Sequence, residues 1–365
     1  MKNLSAFLVG GLIGFLAVLY YIIYPEPWSI RSAAVIIVSL FASIFLGILL
    51  HELGHFIAGR GQGMQLLNLS VGPFVVERHK GKLYFHFVPS VLGYLGRAMM
   101  VFPEQLDKHI MRKKLIRYVY GGPITNIVLG ALSLALAFFT WHEPFFLIFG
   151  LLNILLGTMN LKPAMASSVM TDGLVLQKLK TKQDTVMLTG YAMATKSLQV
   201  EDVKEWSPAF IQKLELLVQS DDPMSKIYLQ TIGYYYFPNE ASRVTALAQS
   251  VIDNLAANKP DYYADMAAIT FATALLFEGK LTSHPGVEAL LQSISKVDKV
   301  IDFKRQALQL YRQGDADGAI QKLHEAHNAL GKWHPLYLRG EMEKRLLLNL
   351  IKMLENRPNE ATYFN

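Results

Sequence analysis

The sequence predicts an all-α multi-pass membrane protein of about four transmembrane helices with a small membrane-associated β-hairpin, followed by a soluble α-helical domain. Three observations carry this. The 365-residue chain is 52% hydrophobic and only 18% charged, too apolar for a soluble protein of its length. The apolar excess is concentrated in the first half, where four runs contain no Asp, Glu, Lys or Arg. From about Lys178 onward, amphipathic helical stretches alternate with short breaks. These features divide the chain into a membrane domain, 1–176, and a cytosolic helical domain, 177–365.

The uncharged runs are Ser5–Tyr24, Ala33–Leu50 (with apolar character carried on through the histidine motif and its Glu52 to Gly59), Val119–Thr140 and Phe145–Leu161. Each is long enough, or nearly so, to cross about 30 Å of hydrocarbon. The first ends in Tyr20-Tyr21-Ile22-Ile23-Tyr24 with no small-residue cleavage site nearby, so it reads as a retained span rather than a signal peptide. The net charge of +6 is a local property: between Arg60 and Arg117, ten basic residues face three acidic ones, and the remainder nets −1. By the positive-inside rule that segment is cytoplasmic. Both termini are then expected in the cytoplasm, in keeping with a multi-pass protein of a bacterial cell membrane. No nucleic-acid partner is needed to explain the charge. The absence of cysteine excludes thiolate metal ligands, disulfides and cysteine nucleophiles.

Between the second and third spans, Val75–Arg78 and Leu83–Val88 flank His79-Lys80-Gly81-Lys82 and read as a hairpin. Its exposed edge is suited to pairing with an extended substrate. Pro89, Gly93 and Gly96 break the apolar continuation, so Ser90–Phe102 is expected to be interfacial or re-entrant. Gly121-Gly122-Pro123 opens the third span, with proline in the first helical turn. Asn126 is a polar side chain in that apolar helix, either bonded to a neighbouring helix or lining a polar cavity. Farther on, Phe303, Ala307, Leu310, Tyr311, Gly314, Asp315, Ala319, Leu323 and Ala326 match the spacing of one tetratricopeptide unit. A helix hairpin of that kind docks partners or another copy of itself.

The chemistry lies at His51-Glu52-Leu53-Gly54-His55, at the end of the second span. Histidines four positions apart share a helical face and reach one metal ion, while Glu52 is carried nearby as a general base. Ionisable groups at membrane depth are costly and usually functional. A catalytic zinc takes three protein ligands and leaves one position open. His79, His86 and His109 lie in the basic segment. Asp172 lies just past the fourth span, where it is either the third ligand or the N-cap of a helix over Leu174–Lys180. Gly173 beside it would allow a close backbone approach.

Three elements together resemble the site-2 protease family of intramembrane zinc metalloproteases: His-Glu-Leu-Gly-His at 51–55, Gly-Pro-x-x-Asn at 122–126, and Asn-x-x-Pro at 160–163 followed by Asp172-Gly173. Leu92-Gly93-Tyr94 resembles that family's glycine-rich segment. The resemblance covers about residues 33 to 175. It implies His51, His55 and Asp172 as ligands of Zn2+ and Glu52 as catalytic base. It places Asn160 near the site, so Asn160 and Asn126 are the expected contacts to substrate or tetrahedral intermediate. The chain departs from the family pattern in a longer gap between Asn160 and Asp172 and in Met170-Thr171, where proline and leucine are usual.

The expected activity is zinc-dependent hydrolysis of a peptide bond in or near a transmembrane segment of a membrane-anchored protein or peptide. Such cleavage would activate a tethered regulator, clear signal-peptide remnants or mature a precursor. Three alternatives differ in testable ways. One is a membrane zinc peptidase taking a glutamate as third ligand. Another is a non-catalytic scaffold recruiting partners through its cytosolic helices. The third is a channel or transporter using intramembrane histidines.

Overall fold

The computed structural model describes residues 30–79, 81–87, 96–139, 144–166, 169–199, 202–220, 222–255, 262–294, 298–332 and 338–356. The run Ser5–Tyr24 and the Leu92-Gly93-Tyr94 stretch lie outside them. The chain divides into two compact units, Met1–Gln183 and Asp184–Asn365.

Among the described residues, the first unit has three helices long and apolar enough to cross a membrane: α1 (Ile30–Gly61), α2 (Lys108–Phe139) and α3 (Pro144–Leu161). All three pack on one another. Their surfaces are inverted relative to a soluble bundle. Val38, Phe41, Ile57, Leu132 and Phe138 are exposed, whereas Ser43, Asn126, Ser133 and Asn153 are buried. Outward apolar side chains match lipid, and polar groups find their environment inside the bundle. At 1.5 Å per residue, His51 lies about 27 Å along α1 from Ala33, close to the full thickness of the hydrocarbon. The metal-binding motif therefore sits at the far end of its span.

Helices α1 and α2 run antiparallel and almost touch. A Cβ on Gly54 would fall 2.5 Å from the Gly121 carbonyl oxygen, and one on Gly121 would fall 2.4 Å from the Gly54 carbonyl oxygen. The glycine of the His-Glu-Leu-Gly-His motif thus permits a backbone contact at the level of its histidines. Helix α2 begins at Lys108, earlier than the apolar run suggested, because its basic first turns continue the same helix. Pro123 is consequently inside the helix rather than in its first turn. Lacking an N–H, it leaves the Val119 carbonyl without its helical donor.

The expected hairpin proves to be part of a four-stranded antiparallel sheet: β1 (Gln65–Val71), β2 (Phe74–His79), β3 (Lys82–Phe87) and β4 (Gly96–Val101), in the order β3-β2-β1-β4. Leu69 pairs with Val76 on one side and with Ala98 on the other. Part of the segment expected to be re-entrant is thus strand β4. Its Gly96-Arg97-Ala98 start has neither β-branched residues nor alternation, so local sequence hid it. Strands β1 and β4 lie against α1, while β3 forms the far edge with Leu83, Tyr84, Phe85 and Phe87 exposed.

After α3, a two-stranded ribbon of β5 (Met165–Ala166) and β6 (Val169–Met170) leads into α4 (Asp172–Lys180).

The second unit is helical: α5 (Thr185–Gln199), α6 (Pro208–Val218), α7 (Ile227–Tyr236), α8 (Ala241–Leu255), α9 (Tyr262–Phe277), α10 (Val287–Ser293), α11 (Lys299–Arg312), α12 (Ala316–Lys332) and α13 (Leu338–Glu355). Its core includes Tyr228, Ile232, Phe271 and Leu275. Helices α11 and α12 pack together around buried Ala307, Ala319, Leu323 and Ala326. Gly314 makes the turn between them with φ of 88°, a conformation that favours glycine. Lys304 and Glu343 form a buried ion pair at 2.5 Å. Gln230 donates to the same carboxylate at 3.1 Å and Tyr234 at 2.5 Å, so the buried charge is fully engaged.

Candidate metal centre

His51 and His55 occupy successive turns of α1, both buried. Their Nε2 atoms lie 3.1 Å apart. Asp172 Oδ2 is 3.1 Å from His51 Nε2 and 3.4 Å from His55 Nε2. These three residues form a group whose ligand atoms all lie within 4.8 Å of one another. Zinc bonds of about 2.0–2.2 Å at tetrahedral angles separate neighbouring ligand atoms by about 3.3–3.6 Å. The observed triangle is within a few tenths of an ångström of that size, so the donor set fits the ion.

The proton on His55 is fixed by its partner. Its Nδ1 lies 3.0 Å from the Tyr118 carbonyl oxygen and 3.4 Å from the Gly122 nitrogen; the nearer partner can only accept, so Nδ1 carries the hydrogen and Nε2 presents a lone pair. That is the outer-shell arrangement expected of a metal-binding histidine. Gly122 supplies space: a Cβ there would fall 2.4 Å from His55 Nε2 and 2.7 Å from His51 Nε2. The glycine of the second motif therefore keeps the coordination volume clear.

Asp172 arrives through its local structure. Thr171, not Asp172, caps α4, accepting from the Leu174 N–H through its hydroxyl oxygen. The alternative role of Asp172 as N-cap is thereby corrected, and its carboxylate is turned to the histidines. The Thr171 hydroxyl also donates to the Lys162 carbonyl at 2.8 Å, and the Thr171 N–H donates to the Ala164 carbonyl at 3.0 Å. The β5–β6 ribbon absorbs the extra residues between Asn160 and Asp172 and returns the chain to the end of α3. Gly173 serves that return: a Cβ there would fall 2.1 Å from the Leu161 carbonyl oxygen. Burial raises the Asp172 carboxyl, but the adjoining His51 and His55 imidazoles override it and hold the group at about 2. Asp172 is thus an anion across the physiological range.

Glu52 is buried one residue from His51, within electrostatic range of His51, His55 and Asp172, and accepts a hydrogen bond from the Ala98 N–H of β4. The Ala98 carbonyl accepts the Tyr118 hydroxyl at 2.5 Å. Strand β4, not β3, is therefore the strand beside the site, since β3 lies at the opposite edge of the sheet. Among the other candidates, Asn126 is fully buried and donates to the Gly47 carbonyl at 3.4 Å. Asn160 is half-buried in the last turn of α3. His86 lies 3.3 Å from Glu77 within the sheet, and the His109 N–H caps onto Asp107. Tyr118 and Ala98 escaped sequence reading because they act through backbone groups, which every residue type carries.

Membrane-depth helices, a converging His-His-Asp set and an adjoining buried carboxylate define an integral membrane metallopeptidase. The family model described as Peptidase family M50 matches residues 39–227, just over half of the chain. The chain belongs to that family, the site-2 protease family, whose members are integral membrane proteins that use a metal ion. No curated protein and no solved structure matches the chain.

Proposed function

We propose that this protein is a zinc-dependent endopeptidase that cuts a peptide bond in or near a transmembrane segment of a membrane-anchored substrate. The observation that carries this reading is the convergence of His51, His55 and Asp172 beside Glu52 at the end of a membrane helix. A bound zinc ion supplies a Lewis acid that polarises the scissile carbonyl and makes water easier to deprotonate. Glu52, held by the Ala98 N–H, takes the proton from the attacking water and passes it to the leaving amine. His51, His55 and Asp172 hold the ion, and the Tyr118 carbonyl orients His55. A helical substrate must unwind to expose a bond. Strand β4 lies at the end of the sheet beside Glu52, so the unwound stretch pairs with the rest of that edge by strand addition, Ala98 itself being held by Glu52 and Tyr118. Asn126 and Asn160 are retained in the proposal as polar groups serving the substrate or the intermediate.

The basic stretch Arg60–Arg117 orients the site toward the cytoplasm, and the released fragment enters it. This fits activation of a tethered regulator, clearance of signal-peptide remnants or maturation of a peptide precursor. The protease domain is taken as 1–176, with the helices of 177–365 recruiting a partner or a second copy.

Metal analysis of purified protein tests the ligand set. Asp172→Ala is expected to lose stoichiometric zinc while keeping its helical content. Retention of wild-type zinc would remove Asp172 and favour a third ligand from elsewhere in the chain.

A further inference from the structure

Four polar atoms buried between α1, α2 and α3 have no hydrogen-bond partner among the described residues: Ser43 Oγ, His51 Nδ1, Asn126 Oδ1 and Asn153 Oδ1. They are not scattered. Ser43, Gly47 and His51 recur every four residues along one face of α1, so successive members are about one turn apart. Helical side chains lean toward the N-terminus, which tips the His51 ring toward the Gly47 turn. At that turn the Asn153 amide lies 3.3 Å from where a Gly47 Cβ would stand, and Asn126 Nδ2 donates to the Gly47 carbonyl. Asn153 Nδ2 is engaged by the Phe149 carbonyl at 2.8 Å. Each amide thus has its donor side tied down and its oxygen free.

The chemistry of these atoms is complementary. With Nε2 given to a metal, His51 must carry its hydrogen on Nδ1, and such a hydrogen is normally donated to an outer-shell acceptor. His55 meets this need with the Tyr118 carbonyl, while His51 has no acceptor among the described residues. One turn back, at Gly47, stand two free amide oxygens, which only accept, and one turn farther is the Ser43 hydroxyl. Water supplies both missing roles, accepting from His51 and donating to the asparagines, and a buried water needs two to four polar partners. Unpaired polar groups at this depth would otherwise be costly.

We infer that Asn126, Asn153 and Ser43 hold a short file of buried water that accepts the His51 Nδ1 proton, making the two asparagines positioning residues for that metal ligand. The inference rests on the zinc-protease reading and adds a hydrated polar site inside the three-helix unit. It also accounts for Asn153, a polar residue within an apolar span that no sequence motif includes.

The test is zinc affinity, measured by chelator competition on the full-length protein in detergent micelles, with circular dichroism as a check on folding. Asn153→Leu keeps nearly the same volume without the oxygen and is expected to weaken zinc binding about 10- to 100-fold. Asn153→Asp keeps an oxygen in place and is expected to return affinity to within a few-fold of wild type. Wild-type affinity in Asn153→Leu, or equal losses in the Leu and Asp variants, would overturn the inference. Should Asn153→Leu fail to fold, the same comparison at Asn126 decides the matter. A wild-type protein that binds no zinc would contradict the protease reading itself.

Discussion

At the scale of single residues, the site depends on what is absent as much as on what is present. Gly122 faces both histidine Nε2 atoms, and any Cβ there enters the coordination volume. Gly122→Ala is therefore expected to lower zinc affinity at least tenfold while leaving the helices intact, which metal titration and circular dichroism would show. Unaltered zinc binding would mean that the metal does not sit between His51 and His55. Much of this residue-level chemistry is legible in the sequence. Four-residue spacing places the two histidines on one face, and a lone carboxylate after the last span marks Asp172. Other parts are not legible. The acceptor for His55 is a backbone carbonyl, which has no residue signature. Thr171 occupies a position where the family usually has leucine, yet its hydroxyl caps α4 and binds the chain back to Lys162. A departure from the family pattern holds the proposed third ligand in place.

At the scale of elements, apolar runs locate the three spans found among the described residues, because bilayer thickness sets their length. They locate the ends poorly. Helix α2 starts at Lys108 because charged turns outside the hydrocarbon continue an apolar helix without a break. Only the β2–β3 hairpin at one edge of the sheet is legible locally, since β1 and β4 are joined by pairing between distant segments rather than by a short turn. Within that sheet, burial pushes the Glu77 carboxyl up to about 7. A carboxyl raised above its ordinary value binds its proton more tightly in the folded state. Its contribution to stability is full below about pH 4.5 and is lost as pH rises through about 7. Amide exchange in β2 and β3 should accordingly quicken across that interval, and Glu77→Gln should flatten the dependence. A wild-type profile that is level from about pH 4.5 to about 7.5 would show that Glu77 does not govern the sheet.

At the scale of the whole molecule, the chain joins a membrane unit carrying the candidate metal site to a helical unit with its own core. The family match runs to residue 227, past the first unit and into the second. The membrane unit is apolar outside and polar inside, and two of its buried asparagines, Asn126 and Asn153, meet α1 at Gly47, one turn before His51. That inversion was partly readable, since histidine, glutamate and asparagine within uncharged runs demand an interior. How Asp172 returns to His51 across 121 positions was not, because it depends on a small ribbon and a threonine hydroxyl. The central claim is that Glu52 acts on water beside a metal held by His51, His55 and Asp172, and thereby cuts membrane-anchored protein. Quantitative proteomics of membranes from cells making either the wild type or Glu52→Gln at equal levels tests it most directly. The account predicts that a single-pass protein accumulates uncut in the Glu52→Gln cells while the purified variant still binds zinc. Undiminished cleavage of that substrate by Glu52→Gln, or indistinguishable membrane proteomes, would contradict it.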